Sequence, residues 1–180
     1  MTLNTNEKPP ITDWQQNVFE VLKKHDVKHI VYVPDAGHSV AIRLAEADES
    51  IHSVVLTTEE EGIGYLAGAW LGGERGALLL QSSGVGNCIN TLALQACARF
   101  PLLMVVTMRG EWAEFNGWQN HMGQATDGTL RQMGVMTWKA DHPEDVEPLL
   151  HGAATMAFNG DSATALLLSQ RLIGEKEWIK

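Results

Sequence analysis

Cysteine, basic charge and long apolar runs are all scarce in this chain. Its 180 residues hold two cysteines, Cys88 and Cys97, too few for a disulfide framework or a four-ligand zinc site. Such sparing use predicts a reduced, cytoplasmic setting. Lys and Arg number 13 against 22 Asp and Glu, a formal net charge of −9. That balance excludes the basic face that a nucleic-acid or anionic-membrane partner requires. No apolar run reaches the roughly 20 residues of a membrane-spanning helix. The opening stretch MTLNTNEKPPITDW has no basic region followed by an apolar one, so no signal peptide is read there. Internal repeats, low-complexity tracts, the G-x-G-x-x-G fingerprint and the P-loop pattern are also missing. What is present is a globular composition, 44% hydrophobic and 19% charged, in a length that suits one domain with a sizeable core.

Residues 1–11 are polar and contain Pro9 and Pro10, and read as a tail before a domain over residues 12–175. Thr12 or Asp13 is placed to cap a helix running to about His25, with Trp14, Val18, Phe19, Val21 and Leu22 on one face. Apolar strands are predicted at Ile30–Val33, Ser53–Leu56, Ala77–Gln81, Leu102–Thr107, Val135–Lys139 and Ala163–Leu168. Helices are predicted between them, at Ser39–Ala47, Glu60–Leu71, Cys88–Ala98, Thr129–Gln132 and Pro143–Ala157. Continuous apolar strands alternating with helices predict an α/β fold, a doubly wound domain with a mostly parallel six-stranded sheet. Ligands of such sheets gather at the carboxyl ends of the strands. The uncommon polar stretches PDAGH, TTEEEG, QSSGVGN and TMRGEW all fall there.

All four of these stretches carry candidate chemistry. Glu59, Glu60 and Glu61 open a helix rich in small residues, with Gly62, Gly64, Ala67, Gly68 and Ala69. Acidic residues in a first turn complement the helix dipole. Yet each interior Gly costs about 1 kcal/mol of helix propensity, which points to close approach by another backbone or a ligand. A carboxylate carried into such an interface would have its pKa raised by desolvation. Ser82-Ser83-Gly84-Val85-Gly86 joins a strand to a helix, read as a polar loop for a flat or anionic ligand or as an ordinary tight turn. Asn90, one helical turn on, is placed to hydrogen-bond back to it. The segment from Arg109 to Thr126, with Trp112, Phe115 and Trp118, is long for a connection and so reads as functional. Arg109 and His121 are its candidates for anion binding or proton transfer. Asp35 and His38 are candidates in the first strand–helix loop. His25, His29, His52, His142 and His151 show no partner pattern, and no spacing suggests a transition-metal site.

Taken together, these stretches resemble the pyrimidine-binding (PYR) domain of thiamine-diphosphate enzymes, in which a glutamate stands a fixed distance before Ala-x-Gly-Tyr. Setting Ala67 on that alanine places Glu60 on the cofactor glutamate, with Ala69-Trp70 replacing Gly-Tyr. SSGVGNCIN resembles the family's Thr-Ser-Gly-Pro-Gly-x-x-Asn stretch, with Ser83, Gly84 and Gly86 on matching positions and Asn90 one residue beyond the family's Asn. The stretches VPD, EEEGIG, Q-x-SG-x-GN and HMGQAT are similar to those of sulfopyruvate decarboxylase α subunits and phosphonopyruvate decarboxylases. The resemblance implies thiamine diphosphate as cofactor, with Glu60 holding a proton at the pyrimidine and Ser83, Gly84, Val85, Gly86 and Asn90 lining the cofactor. It implies decarboxylation of a small anionic 2-oxo acid, with Asp35, His38 and His121 as proton-transfer candidates and Gln81, Arg109 and His121 toward the substrate. The Gly-Asp-Gly motif that carries magnesium and diphosphate in the family is absent; Asn159-Gly160-Asp161 is not it. The resemblance therefore implies a separate β polypeptide bearing the diphosphate-binding (PP) domain and Mg2+, in an α2β2 or larger assembly. An acetolactate-synthase-like carboligase subunit, a non-catalytic PYR-like assembly subunit, and a nucleotide- or flavin-binding domain remain as alternatives.

Overall fold

The computed structural model describes residues 14–175. The expected tail and the cap at Thr12 or Asp13 lie outside the described residues. In chain order the elements are α1 (Trp14–Lys24), β1 (Val27–Tyr32), α2 (Ser39–Ala47), β2 (His52–Val55), α3 (Glu59–Leu71), β3 (Arg75–Gln81), α4 (Ser82–Cys88) and α5 (Leu92–Ala98). They continue with β4 (Leu102–Thr107), α6 (Asn120–Gln132), β5 (Met136–Ala140), α7 (Pro143–Gly160), β6 (Ala163–Leu168) and α8 (Gln170–Ile173). Short 3-10 turns at Ala36–His38 and Gly117–Gln119 lead into α2 and α6.

All six strands are parallel, in the order β2-β1-β3-β4-β6-β5. Every residue of β4 and β6 is buried, which is why these strands read as unbroken apolar runs. On one face α1, α2 and α7 pack Phe19, Leu22, Ile42, Val146 and Leu150 against β1, β3 and β4. On the other face α3, α4, α5 and α6 contribute Ile63, Leu66, Val85, Leu92 and Leu130. The strand order reverses between β1 and β3, so the loops after these strands diverge to opposite sides. The crevice that opens at their carboxyl ends is where such sheets place ligands. No helix among the described residues is long and apolar enough to cross a membrane.

Beyond shifted ends such as β1 starting at Val27, the predicted helix Cys88–Ala98 begins only at Leu92, α8 is unpredicted, and two segments near the site differ from the sequence reading. SSGVGN is the first turns of α4 and not a loop, and none of its glycines has positive φ. The HMGQAT segment is helical from Asn120 onward, nine residues earlier than predicted from the apolar pattern.

Candidate functional site

The crevice is organised around Asp35. Pro34 ends β1 and the carboxylate then caps the 3-10 turn, accepting from the Gly37 amide at 3.0 Å. It also accepts from the Thr107 hydroxyl at the end of β4 (2.7 Å) and from Gln81 Nε2 at the end of β3 (2.8 Å). Ser83 Oγ in turn donates to Gln81 Oε1 at 2.9 Å. Three strand ends are thereby tied together through one carboxylate. Burial alone would raise the Asp35 carboxyl, but His38 and the hydrogen bonds from Thr107, Gln81 and Gly37 outweigh it and hold it below its ordinary value. An ionised carboxylate with its lone pairs taken is suited to holding the strand ends in register. A cleft of about 200 Å³ lies beside it, lined by Gln15, Gly37, Thr107 and Arg109 among others.

His38 does not face this edge. It is 1% exposed, and its Nε2 lies 3.1 Å from the Val105 carbonyl and 3.3 Å from that of Leu80. Both are acceptors, so Nε2 carries the proton. The structure places His38, expected as a proton-relay candidate, beneath the 3-10 turn at Ala36–His38 with its side chain buried over the sheet. Burial depresses its pKa, against the opposing pulls of Asp35 and the two carbonyls. His25 is depressed as well, first by burial and then by His151 and Arg75. Above about pH 6.5 neither group affects stability. Below it the unfolded chain takes up protons that the folded chain refuses, so stability falls as pH falls. The urea midpoint should therefore decline from about pH 7 to pH 5, each histidine contributing at most about 1.4 kcal/mol per pH unit. A flat profile would contradict a buried neutral His38.

Arg109 is likewise engaged. Its Nε and Nη2 each donate to the Glu114 carboxylate at 2.6 Å, and both side chains are buried, 9% and 3% exposed. These bonds, ahead of those from the Asn116 and Gly110 amides, pull the Glu114 carboxyl down to about 2. Within this chain the Arg109 fork expected to meet a substrate anion is occupied by the internal Glu114 carboxylate. The pair folds the connection after β4 back on itself. Glu114 Oε2 also accepts from Gln170 Nε2.

The three glutamates of α3 separate cleanly. Glu59 is 9% exposed and points between α3 and α4, where Asn87 Nδ2 donates to its Oε2 at 2.8 Å. A Cβ on Gly84 would lie 2.3 Å from Glu59 Oε1 and 2.5 Å from its Cγ. Gly84 is thus required by the buried Glu59 side chain. Gly84→Ala should cost about 1–3 kcal/mol by overpacking, read as a lowered urea midpoint. An unchanged midpoint would show that Glu59 does not fill this slot. Glu60 is only partly buried, and its carboxylate accepts from the Thr58 hydroxyl. That bond, then the residue's own amide, holds its carboxyl below the ordinary value. Glu61 is exposed and accepts from the Thr57 amide at 2.9 Å. The raised pKa expected of an interfacial glutamate is therefore not a property of Glu60 within this chain alone. Any desolvation has to be added by something placed over it.

The surface beside Glu60 suits such a cover. A Cβ at Gly64 or at Gly68 would meet nothing within 4 Å, so one side of α3 is bare backbone. Leu71 at its end is 88% exposed. Across α4, Gly86 approaches Met122 of α6 at 3.4 Å from a notional Cβ. His121 is exposed at the start of α6 and lines a hollow of about 460 Å³ with Gly117, Trp118 and Met122. Val85 is wholly buried in the core, so it supports α4 from within. Ser83 and Gln81 join the Asp35 network, and Asn90 is exposed in the link to α5. Asn87, not Asn90, is the asparagine that reaches a neighbouring element, donating to Glu59 on α3. Asn87 and Thr107 carry no signal in the sequence, and Glu59 stands there only as one of three acidic residues in a first helical turn. The spacing of Gly84 from the end of β3 is the available signal, and it reads in the sequence as a polar loop or a tight turn. Cys88 is buried, and its thiol is pushed up to about 12 by burial and then by Glu59 and Glu60, which leaves it inert as a nucleophile.

An open edge, a switch-point crevice and a carboxylate at the mouth of a bare helix give this domain of the doubly wound α/β class its candidate site. The family described as thiamine pyrophosphate enzyme, N-terminal TPP binding domain, matches residues 13–129, and the chain belongs to it. Sulfopyruvate decarboxylase subunit alpha of Methanococcus maripaludis is 32% identical over 152 residues, covering 84% of this chain and 91% of the relative. Phosphonopyruvate decarboxylase of Streptomyces viridochromogenes is 33% identical over 113 residues, 62% of this chain but 28% of that longer protein. Benzoylformate decarboxylase from Polynucleobacter necessarius shares the fold, with a TM-score of 0.69 at 16% identity, covering 93% of this chain and 31% of that one.

Proposed function

We propose that this chain is the pyrimidine-binding subunit of a two-subunit thiamine-diphosphate-dependent decarboxylase. Its substrate is a small anionic 2-oxo acid, sulfopyruvate or 3-phosphonopyruvate, converted to the aldehyde and CO2. The observation that carries this reading is the position of Glu60, an outward-facing carboxylate at the carboxyl edge of the sheet beside an uncovered helix face. The donor set fits the pyrimidine of the cofactor: a carboxylate able to hold a proton, with bare backbone alongside for close approach. When bound, thiamine diphosphate supplies the electron sink for loss of CO2.

Within this chain Glu60 would hold and return a proton at the pyrimidine ring nitrogen. Covering by a second subunit would desolvate it and bring its proton affinity toward that of the ring. Ser83, Gly84 and Gly86 would border the cofactor through the surface of α4, and His121 would meet the distal anion of the substrate. Asp35, through Gln81 and Thr107, would act as a positioning residue for the strand ends. Diphosphate and Mg2+ would be held by a PP-domain β subunit, in keeping with relatives named as subunit alpha, and an α2β2 assembly would provide paired sites.

CO2 release from each 2-oxo acid, with and without a co-expressed PP-domain chain, tests the proposal. Turnover is expected only from the complex, and the chain alone should bind thiamine diphosphate poorly. Full cofactor occupancy and turnover by the chain alone would refute it, as would an inactive complex with both substrates.

A further inference from the structure

The amino-terminal half of the sheet, away from Glu60, carries a second cluster of chemistry. β1 and β2 pair in a register that sets His29 directly beside His52, and their rings stack with centroids 4.8 Å apart. Glu74, in the turn before β3, places its Oε2 2.6 Å from His29 Nε2. One ligand atom from each of His29, His52 and Glu74 lies within 4.8 Å of the others. On the other side of the His29 ring, Nδ1 is 3.0 Å from the Tyr65 hydroxyl on α3.

We propose that His29, His52 and Glu74 form a binding site for a divalent transition ion of the zinc class. Two imidazoles and one carboxylate are a recognised donor set for Zn2+, which binds histidine nitrogen and carboxylate oxygen at about 2.0–2.2 Å. Imidazole ligands also admit copper and nickel. His29 supplies the fixed ligand, because its side chain is 11% exposed and Tyr65 holds its far nitrogen. A hydrogen-bonded second nitrogen of this kind sets ring orientation and tautomer in metal-ligating histidines. Glu74, with 48% of its side chain exposed, has room to withdraw the fraction of an ångström needed to seat an ion between Oε2 and Nε2. His52 is exposed and free to turn its ring toward the same point. The fourth position opens to solvent, as in zinc sites with three protein ligands. Bound metal would join β1, β2 and the α3–β3 turn, so its effect is read as stability of that corner.

The full chain, stripped with a chelator and titrated with zinc chloride by calorimetry, tests the proposal, with Co2+ absorption as the spectroscopic probe. One equivalent per chain is expected, with a rise in Tm on binding. His52→Asn and Glu74→Gln should each weaken binding by more than about tenfold, and Tyr65→Phe by about 10–100-fold. A His25→Asn/His151→Asn variant, which removes the other close histidine pair (2.9 Å), should bind as wild type. Both His52 and Glu74 are exposed, so circular dichroism should show their variants folded. Absence of saturable binding would overturn the proposal. So would binding unchanged in His52→Asn and Glu74→Gln, or binding abolished in the His25/His151 variant.

Discussion

Glu60→Gln is expected to leave the fold and the assembly with a PP-domain chain intact and to slow decarboxylation by about 10²–10⁴-fold, the range for losing a positioned proton-transfer group. The amide keeps the size and an acceptor for the Thr58 hydroxyl but cannot share a proton. Glu59→Gln is the informative partner. Its side chain lies between α3 and α4 against Gly84 and Asn87, so an amide there still fills the slot and can accept from Asn87. Turnover in Glu59→Gln should stay within about tenfold of wild type, with a stability cost of about 1–2 kcal/mol for a weakened charge-assisted bond. Measured kcat values for the two variants in the same complex decide which carboxylate serves the chemistry. A severe loss in Glu59→Gln with a mild one in Glu60→Gln would reverse the assignment.

The largest stability effect is expected from Arg109→Met. Removing the guanidinium strands Glu114, 3% exposed, without the partner that makes its charge tolerable. Breaking a buried pair by removing one member costs about 3–5 kcal/mol, measurable as a drop in the urea midpoint. The pH dependence carries the same signature. In the wild type Glu114 is held at about 2, so its contribution is present above the ordinary carboxylate range and is lost as pH falls toward 2. In Arg109→Met the stranded carboxyl prefers a proton, so the gap between the two proteins should narrow on acidification. Adding Glu114→Gln to Arg109→Met should recover part of the loss. If Arg109 were instead held ready for a substrate anion, Arg109→Met would fold normally and raise KM.

The parts of the fold that were legible are those whose signal is apolar and local. β4 at Leu102–Thr107 and β6 at Ala163–Leu168 were read at their observed bounds, because every residue in them is buried and Pro101 or the polar turn before Ala163 marks the start. α2 at Ser39–Ala47 was equally plain. The start of α6 was not, because its buried stripe is Gly123, Thr126 and Leu130. Two of those three residues carry little hydrophobic signal, though their spacing is helical. Gly123 is required there because a Cβ would lie 2.1 Å from the Arg109 carbonyl, a contact between segments that no local pattern reveals. The same holds for Gly84 of α4, which reflects the buried Glu59 and not a turn.

The candidate site was legible as a set of strand ends more than as a set of roles. Asp35, Gln81 and Ser83 do converge, and Glu60 does stand at the edge. The partners that surround His38, Leu80 and Val105, come from distant positions, and that of Arg109, Glu114 five residues on, meets it only because the irregular connection after β4 folds back. His29, His52 and Glu74 are far apart in the chain, and only the parallel register of β1 and β2 brings the imidazoles together.

A crystal structure of this chain with its PP-domain partner and thiamine diphosphate bears most directly on Glu60. Its carboxyl group should be covered by the second subunit and within hydrogen-bond distance of the pyrimidine ring nitrogen, with Gly64 and Gly68 against foreign backbone. A Glu60 side chain left in solvent while another group contacts that nitrogen would contradict the assignment.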